Sequence, residues 1–241
     1  MIPLVKDTID NKDIDQLIEW LKTYPKLTKG DRTIELERKF ADWVGTKYSV
    51  FCNSGSSANL LMLYALKELG VLKSGDSVLV PSLCWATDLA PIMQLDLNPV
   101  LIDCNLDNLS INLDHLEDLL LENIKKLPKV LLLVSVLGLS PNMKKIESIC
   151  NDYGILLLED VCESQGTKFK NKKLGGFGLV GSFSTYFGHT MSTIEGGFIT
   201  TNDEQVYNTL IQLRSHGWDR DLNPKFQKTL REKWNTSDFN S

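Results

Sequence analysis

Ile155-Leu156-Leu157-Leu158-Glu159-Asp160 is the stretch that decides the fold. Four consecutive apolar residues need cover on both faces, as a strand inside a parallel sheet has. Two acids then close the run. The carboxyl ends of strands are where α/β sheets place ligands, so Asp160 is both a strand terminus and a candidate ligand residue. Its plainer role would be to cap the next segment. Upstream, residues 130–136 form a second continuous apolar run, bounded by Pro128 and Gly138, and residues 144–153 between the two read as a helix.

The same alternation extends toward the N-terminus. Ser77-Val78-Leu79-Val80-Pro81 reads as a strand, 84–94 as a helix, 99–103 as a strand, and 113–123 as a helix capped by Asn112 or Asp114. Earlier still, Leu36, Phe40, Trp43 and Val44 make an apolar helical stripe stopped by Gly45. A short strand over 47–53 leads through Ser54-Gly55-Ser56-Ser57 into 58–69, a helix apolar almost all round and therefore buried. After Asp160, residues 167–176 suggest a hairpin or surface loop, 179–187 and 197–201 two further strands, and 204–215 a helix. Beyond Gly217 the sequence turns polar and no apolar element is predicted. The chain is expected to be α/β, with a mostly parallel central sheet and helices on both faces.

The 241 residues carry 26 Lys+Arg against 31 Asp+Glu, a net charge of −5, with no block of like charge. That balance argues against nucleic acid or an anionic membrane as the main partner. No apolar run approaches the roughly 20 residues needed to cross a bilayer, and the first residues lack the basic-then-apolar build of a secretory signal. Cys52, Cys84, Cys104, Cys150 and Cys162 are odd in number and scattered, which reads as reduced thiols in a cytoplasmic protein. No metal site is expected.

Several residues could carry chemistry. Gly55, Ser56 and Ser57 stand where a strand hands over to a helix, so their amides could bind phosphate, although Ser54 would do as an ordinary N-cap. Trp85 follows a strand's carboxyl edge and could stack on an aromatic ligand or merely pack. Asp160 could hold a protonated ring nitrogen, with Glu163 nearby. Gly176-Phe177-Gly178-Leu179-Val180-Gly181 matches G-x-G-x-x-G, but a polar loop precedes it and a β-like run follows, so it is rejected as a dinucleotide site. His189 lies between two Gly-bounded strands, preceded by Ser182 and Ser184; His115 and His216 look like surface or cap residues.

Taken in order, these pieces resemble the nucleotide-sugar aminotransferases that use pyridoxal 5'-phosphate (PLP), the DegT-type members of aminotransferase fold type I. Asn53-Ser54-Gly55-Ser56-Ser57-Ala58 resembles the family's phosphate loop. Pro81-Ser82-Leu83-Cys84-Trp85-Ala86-Thr87 resembles the segment whose aromatic residue stacks on the pyridine ring. Leu157-Leu158-Glu159-Asp160 with Cys162-Glu163-Ser164 is similar to the segment whose Asp pairs with the pyridine nitrogen. Gly181-Ser182-Phe183-Ser184-Thr185-Tyr186-Phe187-Gly188 and Glu195-Gly196-Gly197 bracket the family's Schiff-base position, and Ser184 matches its phosphate-contacting serine. The resemblance runs from about residue 2 to about residue 220.

The departure is decisive. An aminotransferase places lysine six residues before the Glu of Glu-Gly-Gly; here that residue is His189. Histidine can move protons but cannot tether the cofactor covalently. Such a swap marks the sugar 3-dehydratases that branched from this family. The resemblance therefore implies that glutamate converts PLP to pyridoxamine 5'-phosphate and that His189 acts as the base. The 3-hydroxyl of a nucleotide-linked 4-keto-6-deoxy sugar is then lost, in deoxysugar synthesis of the O-antigen (lipopolysaccharide) type. Cys162 matches one ligand of an iron–sulfur branch, but Trp218-Asp219-Arg220-Asp221-Leu222 holds no cysteine, so no cluster is expected. The alternatives are a sugar aminotransferase and a non-catalytic, truncated cofactor-binding homologue. Arg214-Ser215-His216-Gly217-Trp218-Asp219-Arg220 could bind substrate phosphate or be exposed charge. Family members are longer, with a smaller C-terminal domain, and a homodimer is implied. The expected layout is an N-terminal arm (1–30), a PLP-binding large domain (31–220) and a polar tail (221–241) that begins a missing remainder.

Overall fold

The structure, a computed structural model, describes residues 7–122 and 126–236. In chain order come α1 (Asn11–Leu21), α2 (Asp31–Val44), β1 (Tyr48–Cys52), α3 (Gly55–Glu68), β2 (Ser77–Pro81), α4 (Ala86–Gln94), β3 (Asn98–Ile102) and α5 (Leu113–Glu122). Then follow β4 (Val130–Val134), α6 (Met143–Tyr153), β5 (Leu156–Asp160), β6 (Lys168–Phe169), β7 (Lys172–Lys173), β8 (Val180–Ser184), β9 (Gly197–Thr201), α7 (Glu204–Arg214) and α8 (Pro224–Trp234). The opening residues 1–6 and the expected helix end at 123 lie outside the described residues.

One sheet takes the order β1-β9-β8-β5-β4-β2-β3. All its neighbours pair in parallel except around β9, which is antiparallel to both β1 and β8. The mostly parallel α/β sheet is as the sequence predicts. Its topology also sets the functional edge. β1, β2, β5 and β8 all run the same way, so residues after Cys52, Pro81, Asp160 and Ser184 emerge together, beside the start of β9. The register places Asp160 directly opposite Ser182.

Alternate residues of the buried strands serve two cores. Val78, Val80, Val130, Leu132, Leu158, Val180 and Ile199 pack with α3 residues such as Met62, Leu63 and Leu66. Leu79, Leu131, Leu133, Leu157, Phe183 and Phe198 face the other way, onto Phe40 of α2, Leu116 and Leu120 of α5, and Ile146 and Ile149 of α6. The rings of Phe40 and Phe198 stack 3.9 Å apart, with Phe183 edge-on to Phe40 at 5.0 Å. Burial on both faces is what the all-apolar strands require.

Three differences from the sequence reading have local causes. The strand expected over 179–187 ends at Ser184, because the Thr185 amide turns to the Gly196 carbonyl at 2.8 Å. The helix expected from 84 starts at Ala86, since the Trp85 amide bonds the Asp88 carboxylate instead. The polar segment beyond 217 contains α8, opened by an Asn223 cap and Pro224, with Leu222 buried and Phe226 and Leu230 packed against the core. No residue of α8 is itself fully buried, so its apolar signal was thin. The hairpin expected in 167–176 is β6–β7.

Helix α7 supplies a test of local design. Asp203 caps it, accepting from the Val206 amide at 2.9 Å. Asp203→Ala is expected to lower unfolding stability by about 1 kcal/mol, read from urea denaturation with an unchanged slope.

Candidate functional site

The loop after β1 brings a helix N-terminus to the shared edge. Ser54 caps α3 through its hydroxyl, which accepts from the Ser57 amide at 3.1 Å. The first amides of any helix lack intrahelical acceptors, so Gly55 and Ser56 present donors and a partial positive charge there. Glycine is required at 55. A Cβ would fall 2.6 Å from the Ser184 Cβ and 3.0 Å from the Cys162 Sγ. Only a hydrogen side chain lets the helix start reach the end of β8. Ser184 is buried; its hydroxyl accepts from the Tyr186 amide at 3.2 Å, leaving its own proton to donate, and the Gln165 side chain fixes its carbonyl. Gly55, Ser56, Ser57 and Ser184 thus come together in one corner whose donors suit an anion.

Asp160 forms the second corner. It is buried, and its Oδ1 accepts from the Cys162 amide at 2.8 Å while Oδ2 accepts from the Asn59 side chain at 2.6 Å. Asn59, on the second turn of α3, also donates to Asp88 Oδ1 at 3.0 Å and accepts from the Ser182 hydroxyl at 2.5 Å. The Asp88 Oδ2 accepts from the Trp85 amide at 3.0 Å. Burial first, and then the Asp160 charge, push the Asp88 carboxyl up to about 9. Burial likewise lifts the Cys84 thiol to about 11 and the Cys162 thiol well above its ordinary value, so both stay neutral. The structure places one carboxylate at this corner, wrapped in neutral donors. It suits a cationic heterocycle.

Trp85 opens α4 with its side chain 71% exposed, a flat face at the same edge and not part of the core. Glu163 is exposed at the rim, where it accepts from the Leu137 amide at 3.3 Å; its charge reaches Asp88. His189 is half-buried on the turn between β8 and β9. That turn is closed by Thr185 and Thr193, whose hydroxyls lie 2.6 Å apart, and by Phe187 N–H to the Ile194 carbonyl at 3.1 Å. The His189 amide bonds the Tyr186 carbonyl at 2.9 Å and its ring meets the Tyr186 ring edge-on at 6.2 Å. His115 has a capping role, its Nδ1 accepting from the Asp103 amide at 3.0 Å.

The rejected glycine motif has its own use. The Glu159 carboxylate, buried, accepts from the amides of Gly175 at 2.8 Å and of Phe177 and Gly178 at 2.7 Å. The loop therefore wraps an internal carboxylate, not a nucleotide phosphate. Burial raises the Glu159 pKa, and the three amides only partly offset it.

Beside Ser57 lies a cavity of about 610 Å³ lined by Lys29, Asn53, Leu213, Arg214 and Arg220 among others. Arg214 pairs with buried Glu37 and donates to the Phe51 carbonyl at 2.9 Å, but its buried Nη2 has no partner among the described residues. Lys29 pairs with Asp221 at 2.8 Å. Sequence reasoning missed Asn59, Asp88 and Glu159. Asn59 had a signal, being the one amide in an otherwise apolar stretch; Asp88 had none. Among the described residues, no cluster of His, Cys, Asp and Glu could hold a metal ion, and no helix is long and apolar enough to cross a membrane.

Comparison with known proteins gives consistent matches. Residues 7–240 match the DegT/DnrJ/EryC1/StrS aminotransferase family. The GDP-4-keto-6-deoxy-D-mannose 3-dehydratase of Yersinia pseudotuberculosis is 37% identical over 96% of this chain and 58% of its own length. A crystal structure of GDP-4-keto-6-deoxymannose-3-dehydratase with bound GDP-perosamine superposes with a TM-score of 0.86 at 37% identity, covering 92% of this chain and 57% of that one. A second structure of that enzyme, with a trapped PLP-glutamate geminal diamine, gives 0.86 at 34% identity, covering 95% and 62%. The chain thus spans a little over half the length of the relatives it matches.

Proposed function

This chain belongs to the DegT/DnrJ/EryC1/StrS aminotransferase family, and from that premise we propose that it works with pyridoxal and pyridoxamine 5'-phosphate to remove the 3-hydroxyl from a nucleotide-linked 4-keto-6-deoxy sugar. The observation that carries the reading is His189 at the turn where the family's lysine stands. Glutamate is the proposed amino donor, and the pathway class is deoxysugar synthesis for lipopolysaccharide. The 3-dehydratase relatives, their structures with GDP-perosamine and with a PLP-glutamate adduct, and a 31% identical lipopolysaccharide biosynthesis protein of Salmonella typhimurium support these assignments.

The site fits the cofactor. Its donor set matches the group's three chemical handles: an anion corner, a buried carboxylate and an exposed aromatic face. Gly55, Ser56, Ser57 and Ser184 would hold the phosphate, Asp160 the ring nitrogen as N–H, and Trp85 the ring face, with Glu163 at the rim. When bound, the cofactor supplies an electron sink for the carbon from which a proton leaves. Asp160, buried at the end of β5, would keep the ring nitrogen protonated. His189 would take the proton at the cofactor methylene and lacks the nucleophilic amine needed to tether it. The cavity beside Ser57, with Lys29, Arg214 and Arg220, suits the diphosphate of the sugar nucleotide.

Two finer features belong to the same proposal. The apolar face of α1 is exposed at Ile14, Leu17, Ile18 and Leu21, which suits an arm laid across a second copy in a homodimer. Five free cysteines favour a reducing compartment, the cytoplasm. The reaction is tested directly. The protein loaded with PLP and treated with borohydride is expected to yield no phosphopyridoxyl-protein. With glutamate and the keto sugar, it is expected to release ammonia and a 3-deoxy product. A stable amino sugar, or a covalently labelled lysine, would select an aminotransferase instead.

A further inference from the structure

Asp88 is buried completely, yet no step proposed above uses it. It sits at the start of α4, and two observations tie it to the ring-nitrogen corner. Asn59 bridges it to Asp160, donating at 3.0 Å to one carboxyl and 2.6 Å to the other. The Trp85 amide is the remaining donor, at 3.0 Å, so the residue bearing the exposed ring hangs from the same carboxyl.

We propose that Asp88 is a positioning residue for the bound cofactor: by accepting from Asn59 and from the Trp85 amide it fixes the Asp160 carboxylate and the Trp85 backbone around the ring. The inference rests on the cofactor reading above and adds to it a division of labour. The pair carries one negative charge between two carboxyls, and Asp160 holds it toward the ring. A second full charge on the far side of the Asn59 amide would instead compete for the ring proton. The titratable groups facing Asp88 are Asp160 and Glu163 from the β5 end and Cys84 just before α4; Cys162 also faces Asp160. Both thiols are neutral, so the nearby charges are the two carboxylates.

The sign of the pH effect follows. A carboxyl raised in the folded state stabilises the fold fully below the ordinary carboxylate value, and the contribution is lost as pH rises toward about 9. Asp88→Asn keeps shape and neutrality and cannot ionise; its oxygen still accepts from one of the Asn59 and Trp85 donors, while its amide group opposes the other.

The experiment compares wild type, Asp88→Asn and Asp88→Ala by PLP titration followed in Trp fluorescence, and by thermal unfolding without added cofactor from pH 5 to about 9. The expected result is that Asp88→Asn binds PLP closer to wild type than to Asp88→Ala and removes the share of the alkaline loss of stability that Asp88 contributes, leaving that of Glu159. Asp88→Ala is expected to weaken PLP binding about tenfold or more, through loss of the acceptors that hold the Asn59 amide and the Trp85 N–H. Equal weakening by Asn and Ala would overturn the proposal, because ionised Asp88 would then be the working form. Full affinity in Asp88→Ala would overturn it as well. Infrared spectra separate this inference from the cofactor reading. If no variant binds PLP, that reading fails, while a protonated-carboxyl band present at pH 7 in wild type and absent in Asp88→Asn still supports the neutral acid. Absence of that band from wild type would overturn it.

Discussion

His189→Asn is expected to cut ammonia release from the keto sugar and glutamate by about 10²–10⁴-fold, the usual contribution of a positioned general base. The loss should fall on kcat, with PLP affinity and the KM for the sugar nearly unchanged. The reason is architectural. His189 rides on a turn pinned by Thr185, Thr193, Phe187 and Ile194, none of which depends on its imidazole. Its own backbone bond to Tyr186 survives any substitution. Asparagine keeps polarity and approximate size but cannot shuttle a proton near neutral pH. Wild-type turnover in the variant would remove His189 from the reaction.

Glu159→Leu is the change expected to damage the fold most for its size. The leucine would leave the amides of Gly175, Phe177 and Gly178 facing an apolar side chain inside the protein. Three stranded donors at about 1–3 kcal/mol each place the loss at roughly 3 kcal/mol or more. Gly178 cannot be repacked to compensate, since a Cβ there would lie 2.4 Å from the Leu157 carbonyl oxygen. Glu159→Gln should recover part of the loss. Its oxygen can still serve Phe177 and Gly178, while its amide group opposes the Gly175 N–H. Chemical denaturation ranks the three proteins: wild type, then glutamine, then leucine. A leucine variant as stable as wild type would mean the loop finds other acceptors.

The sheet was legible because its central strands announce themselves. The runs at 130–134 and 156–160 are apolar at nearly every position, and only a strand covered on both faces needs that. The site was legible at strand ends, where Gly55, Asp160 and Ser184 follow buried runs directly. The layer behind it was not. Asn59 and Asp160 meet across 101 residues of sequence, and Asp88 joins them from a helix start that resembles any other. Such contacts are products of the topology, and no local period encodes them. Helices α1 and α8 escaped for a different reason: both lie at the periphery with no fully buried residue, so no buried apolar run marks them, although α1 carries an apolar stripe at Ile14, Leu17, Ile18 and Leu21.

The reversal of direction at β9 has a consequence for how this scaffold changes its reaction. Because β8 and β9 are joined by a turn that folds back over the functional edge, position 189 belongs to neither core. In the proposed reaction the residue occupying it supplies chemistry while lying outside both packed cores. A codon change there would then exchange one reactivity for another with little strain on the sheet.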